Sequence, residues 1–294
     1  MTIDTQQAAD NKARGSLYLV PNALDPEIGP AEAVMPALAL ARVRTLRRFI
    51  VEGERAAWRL LSKVIDKEAL ASVSMEILDE HSRPEDLPRL LSPLLAGEDV
   101  GLLSEAGLPC IADPGGALVA AAHEAGIRVV PLVGPSSILL ALSASGLDGQ
   151  RFSFLGYLPQ DRAERRAALA AIDRGVRADG ATRIFIETPY RNDRLLADCL
   201  EILAPDTRIC VAAALSTDRE RVRSAAVRDW GPAPEPIGKE PAIFLVGRKA
   251  GLGPQSQERA APQARSTPQG RPGGGRGPAA RGTRLDRRQG GRHT

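Results

Sequence analysis

The segment covering residues 100–120, VGLLSEAGLPCIADPGGALVA, constrains the fold more than any other part of the chain. A short apolar run opens it, a loop rich in Gly and Pro follows, and Asp113-Pro114 indicates the start of a helix. Residues 127–132 are then typical of a strand, Gly134-Pro135 of a tight turn and Ser136-Ser137 of a helix start. Two strand–loop–helix units in series predict an α/β fold with neighbouring parallel strands.

The loops of these two units are expected at the carboxyl edge of one sheet, where open α/β sheets hold their ligands. Gly107, Gly115 and Gly116 would let the backbone approach a ligand closely, because glycine has no Cβ. The amino end of a helix presents free N–H groups that suit carboxylate or phosphate. An ordinary helix cap is also typical of Asp113 followed by Pro114, so both interpretations stay open.

Length and composition exclude several classes of protein. A chain of 294 residues can hold two domains. No apolar run is long enough to span a bilayer, and the polar start, MTIDTQQAADNKAR, is unlike a secretory signal. The spacing of Cys110, Cys199 and Cys210 fits neither a disulfide framework nor a zinc site, so reduced cysteines and a cytoplasmic protein are expected. His81 and His123 are isolated, so no metal site is predicted.

Four segments are predicted along the chain: a disordered leader (1–14), an N-terminal α/β domain (15–133), a C-terminal α/β domain (134–250) and a disordered tail (251–294). A helix is predicted over 31–48, with Pro36 as an alternative start. The tail contains ten Gly, five Pro and nine Arg but only one Glu and one Asp. Such a segment cannot bury enough surface to fold alone. Its arginines suit contact with RNA phosphates, but a spacer without a partner has the same composition.

Acidic side chains follow several predicted strands and are candidate bases or ligand contacts. They are Glu52, Glu105, Asp113 and Glu187. Glu187 before Thr188-Pro189 is equally typical of a helix cap, and Glu52 near Arg55 is equally typical of an exposed ion pair. The common dinucleotide fold and the P-loop are disfavoured, because no glycine fingerprint of either kind is present.

Several motifs resemble one family, in the family's order and over about residues 15–200. They are residues 17–21, Val51-Glu52 with Arg55, Glu80-His81, LLSEAGLPCIADPGGALV, AGIRVVPLVGPSSILLALSASGL, FSFLGYLP and FIETPYR. The chain resembles the tetrapyrrole methylase superfamily. It is most similar to the bacterial branch that methylates the 2′-oxygen of a cytidine ribose in small-subunit ribosomal RNA.

The resemblance implies a homodimer of two-domain subunits, with a parallel sheet in the N-terminal domain and a mixed sheet in the C-terminal domain. It also implies that S-adenosylmethionine lies folded in the cleft between the domains, with Glu52 and Arg55 as catalytic residues. The implied cofactor contacts are Pro21, Ser104, Glu105, Ala106, Gly107, Ile111, Asp113, Pro114, Gly115, Gly134, Ser136, Ser137, Leu158, Pro241 and Ala242.

The chain departs from the family pattern at several places, and its ending, KEPAIFLVG, is more similar to that of a shorter, divergent paralogue group. Glu52-Gly53-Glu54-Arg55 stands where the family has Glu-Asp-Thr-Arg, Glu105 replaces an Asp, and a Lys expected near residues 213–217 is absent. These departures keep two other hypotheses open. One is methyl transfer to a tetrapyrrole or another small molecule, and the other is a catalytically inactive paralogue that binds cofactor or RNA.

Overall fold

A computed structural model describes residues 13–25 and 29–251. The predictions for residues 1–12 and 252–294 therefore lie outside the described residues. Within the described ranges the chain forms two five-stranded sheets, flanked by helices. None of the helices in these ranges is long and apolar enough to cross a membrane.

The first sheet is entirely parallel, with the strand order β3-β2-β4-β1-β5. Its strands are β1 (Ser16–Val20), β2 (Arg48–Val51), β3 (Ser74–Ile77), β4 (Val100–Leu103) and β5 (Arg128–Pro131). The helices along this half are α1 (Ala37–Thr45), α2 (Glu54–Val64), α3 (Lys67–Leu70), α4 (Leu87–Leu95) and α5 (Gly116–Glu124). Apolar clusters cover both faces of this sheet.

The prediction that the strands of the two central units are neighbours is wrong, because β1 lies between β4 and β5. All four residues of β4 are buried, whereas β5 exposes both of its ends and occupies the edge of the sheet. The two following loops still lie at one edge, since every strand is parallel.

The helix predicted over 31–48 is divided. Residues 31–33 form a separate 3₁₀ turn, α1 begins only after Pro36, and β2 already starts at Arg48. Pro36 has an extended backbone and no N–H to donate, so a helix can start after it but cannot run through it. The alternative start at Pro36 is therefore correct.

The second sheet is mixed, with the strand order β6-β7-β10-β8-β9. Its strands are β6 (Phe152–Tyr157), β7 (Thr182–Ile186), β8 (Arg208–Ala213), β9 (Arg221–Ala226) and β10 (Ala242–Gly247), and its helices are α6 (Ser137–Ser145), α7 (Arg162–Asp179) and α8 (Asn192–Ile202). Only β6 and β7 are parallel; the other pairs are antiparallel. The parallel and mixed sheets confirm the predicted fold class.

β9 has no counterpart in the sequence-based predictions. Its sequence, RVRSAA, exposes the first three residues at the edge of the sheet. Arg221 donates to the carbonyls of Pro236 and Ile237, and Arg223 donates to those of Asp229 and Trp230. These arginines bind loop carbonyls beside the sheet. Because they occupy positions where an apolar pattern would indicate a strand, the sequence does not predict β9.

Candidate active site

The loop that follows β4, called the first loop from here on, is bound to the segment after β1 by Asn22, a buried residue. The Asn22 and Gly107 backbones exchange hydrogen bonds of 2.8 and 3.1 Å. The Asn22 side chain donates to the carbonyls of Ser104 (3.2 Å) and Glu105 (2.9 Å). Asn22 was not among the candidate residues, because an asparagine after a strand is also typical of any turn.

The first loop continues further than the sequence suggests, since α5 begins at Gly116 with Gly115 as its N-cap. The interpretation of Asp113-Pro114 as a cap and helix start is therefore wrong. Gly115 has φ +125°, and a Cβ there would lie 2.8 Å from Cys110 Sγ. Cys110 and Ala112 are also left-handed, with φ near +69° and +67°. Such backbone is costly for residues other than glycine and often marks a functional loop.

A cleft of about 280 Å³ lies between this loop and residues of the second sheet. Six of the implied cofactor contacts line it: Ala106, Ile111, Asp113, Ser137, Pro241 and Ala242. Leu24, Asp25, Phe154, Tyr157, Glu187, Leu215 and Thr217 line it as well. One end of the parallel sheet and one end of the mixed sheet thus contribute walls to one site.

The other implied contacts surround the cleft without lining it. Ser104, Glu105, Gly107, Pro114 and Gly115 belong to the first loop. Pro21 packs on Gly134, where a Cβ would lie 2.2 Å from Pro21 Cβ. Ser136 caps α6 by accepting a hydrogen bond from the Leu139 N–H at 3.5 Å. Leu158 lies in the core of the second sheet with Leu169 and Phe185.

Three carboxyl groups cluster beside the first loop. Glu52 Oε2 accepts a hydrogen bond from the Glu105 N–H at 3.1 Å. Burial raises the pKa of Glu52; this hydrogen bond opposes the effect, and the charges of Glu105, Glu80 and Asp79 add to it. Burial also raises the pKa of Asp113 to about 6, helped by the charge of Glu52. The cluster therefore contains one carboxyl group, that of Asp113, whose pKa of about 6 lets it exchange protons near neutral pH.

Arg55 lies on the exposed face of α2, outside the cleft lining. The ion pairs among the described residues do not include one between Glu52 and Arg55, so that interpretation of Glu52 is wrong. Glu52 is instead bound to the first loop, through the Glu105 backbone.

Glu187 lies in the opposite wall and is buried. Its Oε1 accepts hydrogen bonds from the Thr188 N–H (2.7 Å) and from Arg191 Nη2 (2.5 Å). Its Oε2 has no hydrogen-bond partner among the described residues. Glu187 therefore precedes and supports the 3₁₀ turn at 189–191, as a cap would, and still offers one buried oxygen to a ligand.

The charged side chains lining the cleft are all acidic: Asp25, Asp113 and Glu187. Arg219 lies at the rim, where it pairs with Asp25 (3.6 Å) and Glu240 (3.1 Å). No group of three or more His, Cys, Asp and Glu within the described ranges is placed to hold a metal ion. A cleft with acidic walls and an unpaired carboxylate oxygen is suited to an organic cation.

The family model described as Tetrapyrrole (Corrin/Porphyrin) Methylases matches residues 31–230. The chain belongs to the tetrapyrrole methylase family. The crystal structure of the methyltransferase CobJ shares this fold, with a TM-score of 0.53 and 19% identity over 81% of this chain and 97% of that one.

Curated relatives of this tetrapyrrole methylase are named Ribosomal RNA small subunit methyltransferase I. The Pseudomonas aeruginosa protein is 37% identical over 219 residues, which cover 74% of this chain and 73% of the relative. The Escherichia coli O157:H7 protein is 34% identical over 248 residues, which cover 83% and 82%. Family membership and these relatives together identify the chain as a methyltransferase.

The raised pKa of Asp113 predicts a pH-dependent cost to stability. The folded-state pKa of about 6 exceeds the ordinary value of 3.8, so folding favours the protonated form. Ionisation should therefore lower the free energy of unfolding as the pH rises from about 4 to about 6. Asp113→Asn should be more stable than the wild type at pH 7, and this advantage should vanish below pH 4 in urea titrations.

Asp79→Asn is the matched control, because a hydrogen bond from Ser82 lowers the pKa of Asp79 instead. Removal of the Asp79 carboxylate should not stabilise the protein at pH 7. An Asp113→Asn variant that is no more stable than Asp79→Asn at pH 7 would contradict the assignment of the Asp113 pKa.

Proposed function

We propose that the chain transfers a methyl group from S-adenosylmethionine to the ribose 2′-hydroxyl of a cytidine in small-subunit ribosomal RNA. The names of the relatives, which match along most of their length, support the RNA substrate. The observation that carries the proposal is the cleft at the carboxyl edge of the parallel sheet, lined only by acidic charges. A cytoplasmic location is part of this proposal, because an enzyme that acts on ribosomal RNA must reach it there.

The cleft fits the chemistry of this cofactor. S-adenosylmethionine carries a sulfonium and an ammonium group, and acidic walls stabilise both positive charges. The unpaired Glu187 Oε2 provides an acceptor for a donor group of the ligand. Of the implied contacts, Ala106, Ile111, Asp113, Ser137, Pro241 and Ala242 would hold the cofactor. When bound, the cofactor supplies an electrophilic methyl group whose leaving group departs uncharged.

The acceptor needs more help than the donor, because a ribose hydroxyl is a weak nucleophile until its proton is removed. We assign the removal of this proton to Glu52, which directly follows β2 and has a raised pKa. A carboxylate of higher pKa is a stronger base, so burial of Glu52 favours this role. Arg55, exposed in the first turn of α2, would bind a phosphate of the RNA.

A homodimer is part of the same proposal. Phe152, Leu155 and Tyr157 lie exposed on β6, which forms one edge of the second sheet. Exposed aromatic and aliphatic side chains on one strand are the composition that subunit interfaces favour. Sedimentation at two protein concentrations would distinguish a dimer from a monomer.

The test is methyl incorporation into small-subunit RNA from cells that lack this gene. Label in ribose, recovered as nuclease-resistant dinucleotides at a cytidine, is the expected result. Label found in a tetrapyrrole and never in RNA would contradict the RNA substrate and support methyl transfer to a small molecule. Calorimetric titration with S-adenosylmethionine should show binding; absence of binding at millimolar cofactor would leave the inactive-paralogue hypothesis.

A further inference from the structure

A second, basic pocket lies at the end of the second sheet opposite the cleft. It has a volume of about 430 Å³ and is lined by Arg177, Arg208, Arg228, Arg248 and Lys249, with Asp206 as the one carboxylate. These residues come from the end of α7, the start of β8, the turn after β9 and the segment after β10. Four separate parts of the chain therefore bring positive charge to one place.

Most of this charge is not neutralised. Arg208, Arg248 and Lys249 take part in none of the ion pairs found among the described residues. Arg177 pairs with Asp206 at 3.0 Å, and Arg228 approaches Asp229 at 3.9 Å, but all four side chains are at least half exposed. Exposed pairs of this kind contribute little energy, so a phosphate can replace the carboxylate at small cost.

Backbone carbonyls orient two of the guanidinium groups. Arg248 Nη2 donates to the Arg177 carbonyl at 2.9 Å, and Arg208 Nη2 donates to the Ser224 carbonyl at 3.1 Å. Each guanidinium carries five N–H groups, so the remaining donors stay available. A guanidinium that is already oriented loses less freedom when it binds a phosphate through paired hydrogen bonds.

The distance between the cleft and the basic pocket limits which ligand could contact both. β10 begins at Ala242 in the cleft wall and ends at Gly247, next to Arg248. Six residues of strand span about 20 Å. A small substrate in the cleft cannot extend this far, whereas an RNA strand can. From Gly251 onward the sequence continues for 44 residues that carry nine Arg and no Lys.

We propose that this basic pocket binds the phosphate backbone of the RNA substrate and holds the RNA about 20 Å from the methyl-transfer cleft. This inference rests on the proposed RNA substrate. It assigns to the pocket a positioning role, because phosphate contacts fix register and contribute affinity without reading the base.

The test measures binding of a labelled fragment of small-subunit ribosomal RNA to the full chain at several salt concentrations. Arg248→Gln combined with Lys249→Gln should weaken binding roughly tenfold at moderate salt and make the slope of log K against log salt shallower by about 1.4. The matched control is Lys67→Gln with Arg128→Gln, which removes the same charge from exposed positions of the first half. The control should keep the wild-type slope.

The outcomes separate this proposal from the proposed function. An unchanged slope in the Arg248→Gln, Lys249→Gln variant would overturn the pocket, even if the wild type methylates RNA. Equal losses in both double variants would also overturn it, because net charge alone would explain them. A selective loss of slope supports the pocket whatever the methylation assay reports. Calorimetric affinity for S-adenosylmethionine should be the same in all variants.

Discussion

Replacing Glu52 with glutamine is expected to reduce methyl transfer about 10²–10⁴-fold, the usual contribution of a general base. The amide oxygen of glutamine can still accept the Glu105 N–H that Glu52 Oε2 accepts at 3.1 Å, so the first loop should keep its conformation. Affinity for S-adenosylmethionine should therefore change little while the rate at saturating substrates falls. Single-turnover methyl incorporation and calorimetry would measure the two effects separately.

Glu54→Gln is the control for this experiment. Glu54 lies two residues further along the chain, exposed in the first turn of α2, and loses the same charge on substitution. Its rate should remain close to that of the wild type. A Glu52→Gln variant with the rate of the Glu54→Gln control would remove Glu52 from the mechanism and would direct attention to Asp113, the neighbouring carboxyl group of the cleft.

The second large effect is expected at Asp198, which lies between three arginines. Arg165 donates to Asp198 Oδ2 from Nε at 2.9 Å and from Nη2 at 2.7 Å, and Arg162 donates to Oδ1 at 3.3 Å. Arg166 Nη1 lies 3.6 Å from the same Oδ1. The Asp198 and Arg165 side chains are only 1% and 3% exposed. Asp198→Ala leaves a buried guanidinium without its carboxylate, so the free energy of unfolding should fall by about 3–5 kcal/mol in urea titrations.

Glu201→Ala provides the comparison at an exposed site. Glu201 accepts two hydrogen bonds from Arg166, at 2.5 and 2.7 Å, but its side chain is 56% exposed. Its loss should lower the free energy of unfolding far less than the loss of Asp198 does. Similar losses of unfolding free energy in the two variants would show that burial does not determine how much Asp198 contributes to stability. Burial opposes ionisation of Asp198, but the arginines outweigh it and lower its pKa, so this contribution should be lost only as the pH falls well into the acid range.

Local patterns were sufficient to predict much of the fold. Apolar runs identify β1, β4 and β10, since these strands are largely or completely buried. Ser136 caps α6 as its position before an apolar helix indicates. The carboxyl edge of the parallel strands follows from the alternation of strands and helices, and the cleft does lie there.

Features that depend on distant parts of the chain could not be predicted in this way. The insertion of β1 between β4 and β5 is a choice among pairings that local sequence does not distinguish. Asn22 contributes through bonds to residues more than 80 positions away. Asp113 has the local pattern of a cap, but the positive φ of Gly115 ends the loop two residues later and leaves the carboxyl group facing the cleft.

The central position of β10 has a consequence for how the protein is made. β10 lies between β7 and β8 and is antiparallel to both, so the second sheet cannot form until the ribosome has synthesised residue 247. The first sheet, by contrast, has all of its strands once residue 131 has emerged. During synthesis the first sheet can therefore form early. Until β10 is made, β7 and β8 each keep one strand edge without a hydrogen-bonding partner, and such edges promote aggregation of nascent chains. A stop codon before residue 242 should therefore yield a chain that requires chaperones or is degraded, although most of its sequence is present.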